Sequence, residues 1–271
     1  MNRLASSVAI FVGMLVPMAA SAQVGIRNSD HDLSASSGAD IKNANDNQIC
    51  IYCHTPHKAQ STQLLWNHSQ TAVAVWSWGN DLDGNALTNT TAGTLLPTIV
   101  RSNSKRCLGC HDGSVAIGDV SNAGDGQKGI IAGLENLPNL TDATGKLIDA
   151  SKIIGGGGNM GGNHPISIPY AGQTGYNNAD SKAVADDAIG NYFKPTNAGC
   201  TSATGWCTTA PASDGRNGAA INLIPNAPGG ATNFGIECTS CHEPHNRFGF
   251  DKFARVDNTV SSGLCRSCHN K

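Results

Sequence analysis

Eight of the ten cysteines in this 271-residue chain fall into four copies of one arrangement: Cys50-Ile51-Tyr52-Cys53-His54, Cys107-Leu108-Gly109-Cys110-His111, Cys238-Thr239-Ser240-Cys241-His242 and Cys265-Arg266-Ser267-Cys268-His269. Two thiols three residues apart, followed at once by an imidazole, form the attachment pattern of c-type haem. On one turn of helix the thiols reach the two vinyl groups of a single porphyrin, and the next side chain brings its imidazole to the iron from the same side. Zinc ribbons and thioredoxin-like redox sites are also built on C-x-x-C, but neither needs a histidine directly after the second cysteine. Four covalent haems are therefore expected on Cys50, Cys53, Cys107, Cys110, Cys238, Cys241, Cys265 and Cys268. Their proximal ligands would be His54, His111, His242 and His269.

The two remaining cysteines, Cys200 and Cys207, have no histidine after them. In an oxidising compartment they are expected to close a local disulfide, a structural bridge in a stretch rich in Thr, Ser, Ala, Asn and Gly. Five histidines are left for the second axial positions: His31, His57, His68, His164 and His245. His57 and His245 each stand three residues beyond a proximal histidine, in His54-Thr55-Pro56-His57 and His242-Glu243-Pro244-His245. The proline turns the chain off the helical path, and three residues cannot wrap an imidazole to the far face of the same haem. Each is expected to ligate a neighbouring haem, which would hold two porphyrins stacked. His164, in Asn163-His164-Pro165-Ile166, is held extended by its proline and follows a glycine-rich run that permits close approach to a flat cofactor. Met160 in the same loop ranks behind it, because thioether ligation would raise the potential. Residue chemistry does not separate His31 from His68. An iron bond at His31 would tie down an N-terminal arm, whereas His68, after Leu64-Leu65-Trp66-Asn67, could ligate or pack beside a haem edge.

The elements that must position these groups look short. Hydrophobic residues make up 39% of the chain and aromatics 5%, while glycine, with no side chain to pack, accounts for 32 residues. So little apolar side chain leaves a conventional core underfilled, and four haems would supply much of what is missing. The expected fold class is mostly irregular and loop-rich, with short α-helices at the haem motifs, few short β-strands and an interior organised by haem. One helix should start at Ser102-Asn103-Ser104 and run into Cys107. Thr71 to Trp78, apolar and partly β-branched, reads as a short strand. The octapeptide from Cys50 to His57 repeats as that from Cys238 to His245, and each is followed by a plain motif. This divides the chain into a dihaem module over about 23–120, a Gly-rich loop region over about 121–235 with turn signals at Asp214-Gly215 and Pro228-Gly229-Gly230, and a second dihaem module over about 236–271.

Residues Met1 to Ala22 combine Arg3, an apolar stretch from Val8 to Ala20 and a closing Ala20-Ser21-Ala22. This is the pattern of a secretory signal peptide, with cleavage expected after Ala22 and a mature chain from Gln23. The apolar run is too short to span a bilayer. Lysine and arginine number 18 against 20 acidic residues, and no basic block interrupts the chain, so no nucleic-acid partner is expected.

In this order the landmarks resemble those of the multihaem c-type cytochromes with paired CxxCH motifs, and among them the extracellular tetrahaem cytochromes that polymerise into haem nanowires. The resemblance rests on His31-Asp32-Leu33-Ser34, Cys50 to His57, Leu65 to Asn67, Cys107 to Ala116, His164 to Ser167, Cys238 to His245 and the C-terminal LCRSCH. It implies bis-histidine haems with His31, His57, His164 and His245 as the distal set, leaving His68 spare. It also implies a homo-oligomer or filament in which one distal histidine comes from the adjacent subunit, a part that His31 or His68 could play. The function expected is electron transfer through four stacked haems, at the cell surface, outside the cell or in the periplasm, with redox proteins or extracellular acceptors as partners. A monomeric periplasmic shuttle shares this chemistry. A multihaem oxyanion reductase would need one open iron, and the supply of histidines and the lack of any variant motif make the chain read as no enzyme.

Overall fold

A computed structural model of the chain describes residues 25–60, 63–78, 102–124, 128–163, 166–170, 195–196, 207–208, 221–225, 234–259 and 262–268. The N-terminal segment read as a signal peptide, the two turn signals, Cys200, His164 and His269 lie outside the described residues.

Regular structure is brief. A 3-10 turn covers Gln63–Leu65. The longest helix, α1 (Ser102–His111), carries the second motif whole and ends on its histidine. It stops there because Gly113 takes φ 70, and a Cβ at that position would press on the Leu147 carbonyl. Strands β1 (Asp119–Val120) and β2 (Gly129–Ile130) pair antiparallel. A second 3-10 turn spans Gly156–Gly158. Strands β3 (Ile168–Pro169), β4 (Pro195–Thr196), β5 (Cys207–Thr208), β6 (Ile224–Pro225) and β7 (Phe234–Ile236) follow. Of these, β4 pairs with β5, while β7 lies between β3 and β6, with Ile168 opposite Ile236 and Ile224 opposite Gly235. Helix α2 (Cys238–Cys241), a 3-10 turn at Asp251–Phe253 and α3 (Gly263–Arg266) complete the described elements.

Glu237 joins these pieces. It caps α2 reciprocally with Ser240: its carboxylate accepts the Ser240 N–H, and its own N–H donates to the Ser240 hydroxyl at 3.0 Å. The same buried carboxylate accepts from the hydroxyls of Ser104 on α1 and Ser167 beside β3. Ser104 in turn accepts the Cys238 N–H at 3.1 Å. The second and third motifs are thereby packed together.

Apolar packing is split into clusters that each reach a motif. Ile41, Ile51, Tyr52, Ile117, Leu134 and Leu147 surround the first. Trp76, Trp78, Leu108, Met160 and Ile166 lie against the second, with Cys238 of the third beside them. Tyr170, Leu223, Phe234 and Ile236 pack on Cys268 of the fourth.

One expectation about local structure changes. Residues 71–78 do not form a strand. The segment's bonds are scattered, from Thr71 N–H to Lys105, from Ala72 N–H to the Ser114 hydroxyl and from Ser77 N–H to Gly158, so no single neighbour supplies a ladder. Two glycines of the run are required by the packing of the protein itself. At Gly155 (φ 70) an added Cβ would collide with the Met160 sulfur and the Trp76 ring, and at Gly158 (φ 87) with the Val75 carbonyl. Met160 itself is sealed among Trp76, Trp78 and Leu108 as a core residue.

Candidate functional site

The first and third motifs are built on one backbone plan. In each, the histidine N–H returns to the carbonyl of the first cysteine, from His54 to Cys50 at 2.7 Å and from His242 to Cys238 at 2.9 Å. The next residue donates to a 3-10 turn downstream, Thr55 to Leu65 at 2.9 Å and Glu243 to Phe253 at 2.7 Å. Asn67 N–H then closes on Cys53 and Arg255 N–H on Cys241, both at 2.9 Å. Even the side-chain brace recurs with different chemistry: Asn67 Nδ2 donates to the Ile51 carbonyl at 2.6 Å, and Arg255 Nε to the Thr239 carbonyl at 2.8 Å. Each pair is separated by the same offset as His54 and His242. The left-handed residues match too, Leu64 and Leu65 (φ 62 and 50) against Lys252 and Phe253 (φ 52 and 57). Keeping non-glycine residues there costs about 1–3 kcal/mol each.

That turn aims a carbonyl at the proximal histidine. His54 Nδ1 donates to Leu64 at 2.7 Å and His242 Nδ1 to Lys252 at 2.8 Å. In the second motif His111 Nδ1 donates to Lys152 at 3.0 Å. A carbonyl only accepts, so each neutral ring carries its proton on Nδ1 and keeps the Nε2 lone pair for a metal. His31 is oriented alike, with Nδ1 on the Pro244 carbonyl at 3.3 Å and its ring stacked on Phe253 at 4.4 Å. Burial and the neighbouring His111 pull the His31 pKa down to about 4, which keeps this imidazole neutral well below pH 7.

The rings come together in pairs. His31 and His111 have centres 6.0 Å apart, and His54 and His245 have centres 6.1 Å apart with planes 22° from parallel. A metal–imidazole bond is about 2 Å and the ring centre lies about 1 Å further on, so two imidazoles gripping one iron stand about 6 Å apart. Among the described residues no three His, Cys, Asp or Glu side chains converge on one point, and haem iron asks the protein for only two axial ligands. The donor set therefore fits haem. The indole N–H of Trp66, edge-on to His54, and the hydroxyl of Thr239, inside the third motif, are buried without a protein partner. Both suit an acceptor that the protein does not itself supply.

The thiols follow the same logic. Burial, with Cys110 and Cys50 beside it, pushes Cys53 up to about 12, and burial with Asp112 does the same to Cys110. Cys241 rises to about 11 through burial and the nearby Cys238 and Cys265, and Cys268 to about 12 through burial and Cys241. A redox C-x-x-C needs a depressed thiol, the opposite shift. The neighbours also order the motifs in space. Cys53 lies near Cys110, Cys238 hydrogen-bonds with Cys107, and Cys241 lies near Cys265, so each motif has the next one in sequence as a neighbour.

His68 falls outside this pattern. It is buried, with Nδ1 2.5 Å from the Ser69 carbonyl and Nε2 3.1 Å from the Ala116 carbonyl and 3.3 Å from the Cys110 sulfur, so the neutral ring donates to one of the two carbonyls and both nitrogens face protein atoms. It works as a strap against α1, where Gly109 leaves room for the Ser69 carbonyl and the His68 ring. His57 is exposed, and no ring among the described residues faces it. Cys207 is disulfide-bonded and the eight motif cysteines are unbridged. Among the described residues no helix is long and apolar enough to cross a membrane. Comparison with models of known protein families and with curated proteins finds no match.

Proposed function

We propose that the chain is a tetrahaem c-type cytochrome whose work is electron transfer, exported to the periplasm, the cell surface or beyond. The observation that carries this reading is the pairing of His31 with His111 and of His54 with His245 at 6.0 and 6.1 Å, the proximal member of each pair, and His31 as well, turning Nδ1 to a backbone carbonyl. Two such imidazoles close an iron to small substrates and leave electron exchange as its chemistry. The row of neighbouring motif cysteines supports transfer from haem to haem along the chain, toward redox proteins or extracellular acceptors.

His57 supports extension of that row into a second copy. His31 already has a counterpart within its own chain and both nitrogens of His68 face protein atoms, whereas His57 lies exposed and no ring among the described residues faces it. Its repeat partner His245 faces His54, so His57 is suited to face the His242 position of another copy.

The test is intact mass and spectroscopy of protein made in cells that attach haem. Four covalent haems, a wholly low-spin ferric spectrum and no carbon monoxide binding are expected. A chain without covalent haem would overturn the reading, and a high-spin fraction that binds carbon monoxide would point to an open, reactive iron.

A further inference from the structure

The repeated frames of the first and third motifs carry different residues at the position after the proximal histidine, Thr55 in one and Glu243 in the other. Thr55 spends its hydroxyl on the His57 carbonyl at 2.9 Å. Glu243 instead accepts from the ring of His245, with Nδ1 to Oε1 at 3.2 Å. Its other oxygen is pinned by the Arg247 N–H at 2.8 Å, with the Arg247 guanidinium at 3.4 Å, and its side chain is 4% exposed. Burial opposes its charge, but the Arg247 N–H, His245 and Arg247 outweigh burial and hold the carboxyl below its usual range. Arg255 is the other cation beside it. His31, His54, His111 and His242 all turn Nδ1 to neutral backbone carbonyls. Among the described ring pairs, His245 alone is backed by a carboxylate.

A carboxylate acceptor makes a stronger hydrogen bond than a carbonyl and draws the Nδ1 proton further from the ring. Nε2 then becomes a better donor to a metal, which favours the ferric over the ferrous state. Resting on the haem reading above, we infer that Glu243 is a positioning residue that lowers the potential of the haem held between His54 and His245, setting it below that of the haem between His31 and His111. The duplicated frame is thereby made electrically unequal at a point where a side chain of one half completes the site of the other.

Glu243→Gln keeps the shape and an acceptor oxygen but removes the charge. In the four-haem protein, reduction followed by absorbance against applied potential should show one single-haem component moved to higher potential and the rest in place. The ferric low-spin electron paramagnetic resonance signal of that component should shift with it. Glu243→Asp, which restores the charge, should recover part of both changes, and Arg247→Gln, which leaves the carboxylate facing His245, should not raise the potential. Four haems with a reduction curve and resonance signals matching the parent would overturn this proposal alone. A rise of the same size in Arg247→Gln would also overturn it. A chain lacking covalent haem would overturn the haem reading and this inference together.

Discussion

Replacing His31 or His68 with alanine separates two histidines that local sequence leaves equivalent. His31→Ala deletes a ring 6.0 Å from His111, one hydrogen bond to Pro244 and the stack on Phe253. The bond and the stack contribute about 1 kcal/mol each, so their loss costs about 2 kcal/mol beyond the iron bond itself. On the proposed tetrahaem reading one haem in four would lose its second ligand, so about a quarter of the ferric iron should turn high-spin and bind carbon monoxide once reduced. His68→Ala has the opposite signature. It empties a buried site and removes the ring's single N–H donor to a backbone carbonyl, costing about 3 kcal/mol for cavity and lost bond together, while all the iron stays low-spin. The assay is the carbon monoxide difference spectrum scaled to total haem, read beside a denaturant unfolding curve for each variant. If His31→Ala stays wholly low-spin, or His68→Ala opens a haem, the assignment from ring orientation is wrong.

Two further predictions use the repeated frame. Asn67→Ala removes donors to Ile51 and Asn122 and an acceptor for the Asn122 N–H, all buried, so denaturant unfolding should show a loss of about 3 kcal/mol, whereas Arg255→Ala, with one such bond, should lose less. Equal losses would contradict the bond-by-bond account. His57→Ala, at an exposed site, should change stability by no more than about 0.5 kcal/mol, yet abolish any filament seen by electron microscopy of the exported protein. Filaments as abundant as in the parent would remove His57 from the subunit junction.

Spacing made the four C-x-x-C-H motifs legible as candidate haem sites, because cysteine and histidine chemistry dictates positions within a few residues. The octapeptide repeat was visible as well, but the brace shared by Asn67 and Arg255 was not, since its donors differ in type and only their common backbone acceptor reveals the equivalence. Ring pairing was out of reach for another reason. His245 meets His54, and His31 meets His111, through long-range folding that no local pattern encodes. Glycine was only partly informative in the run from Gly155 to Gly158. It signals that something comes close without saying what, and here the neighbours are Trp76, Met160 and the Val75 carbonyl. Thr71 to Trp78 had the composition of a strand but found no ladder partner, and strand composition records fit to a partner as much as intrinsic preference.

The same long-range contacts bear on what a module means in this chain. By sequence it divides into two halves with a loop region between them, yet the described sites do not respect that division. His245 from the C-terminal half faces the first motif, and His31 from the N-terminal half leans on Pro244 and Phe253. Cys107 on α1 hydrogen-bonds with Cys238, and the Glu237 carboxylate ties Ser104 to Ser167. Each half therefore supplies an imidazole, or the support of one, that the other lacks. A duplicated frame folded this way is not two self-sufficient units joined by a tether: His54 takes its ring partner His245 from the C-terminal half, and the His31–His111 pair of the N-terminal half leans on Pro244 and Phe253. On the proposed haem reading the electron path crosses the junction between halves, and Glu243, the carboxylate that stands where the octapeptide repeat has Thr55, lies at that junction.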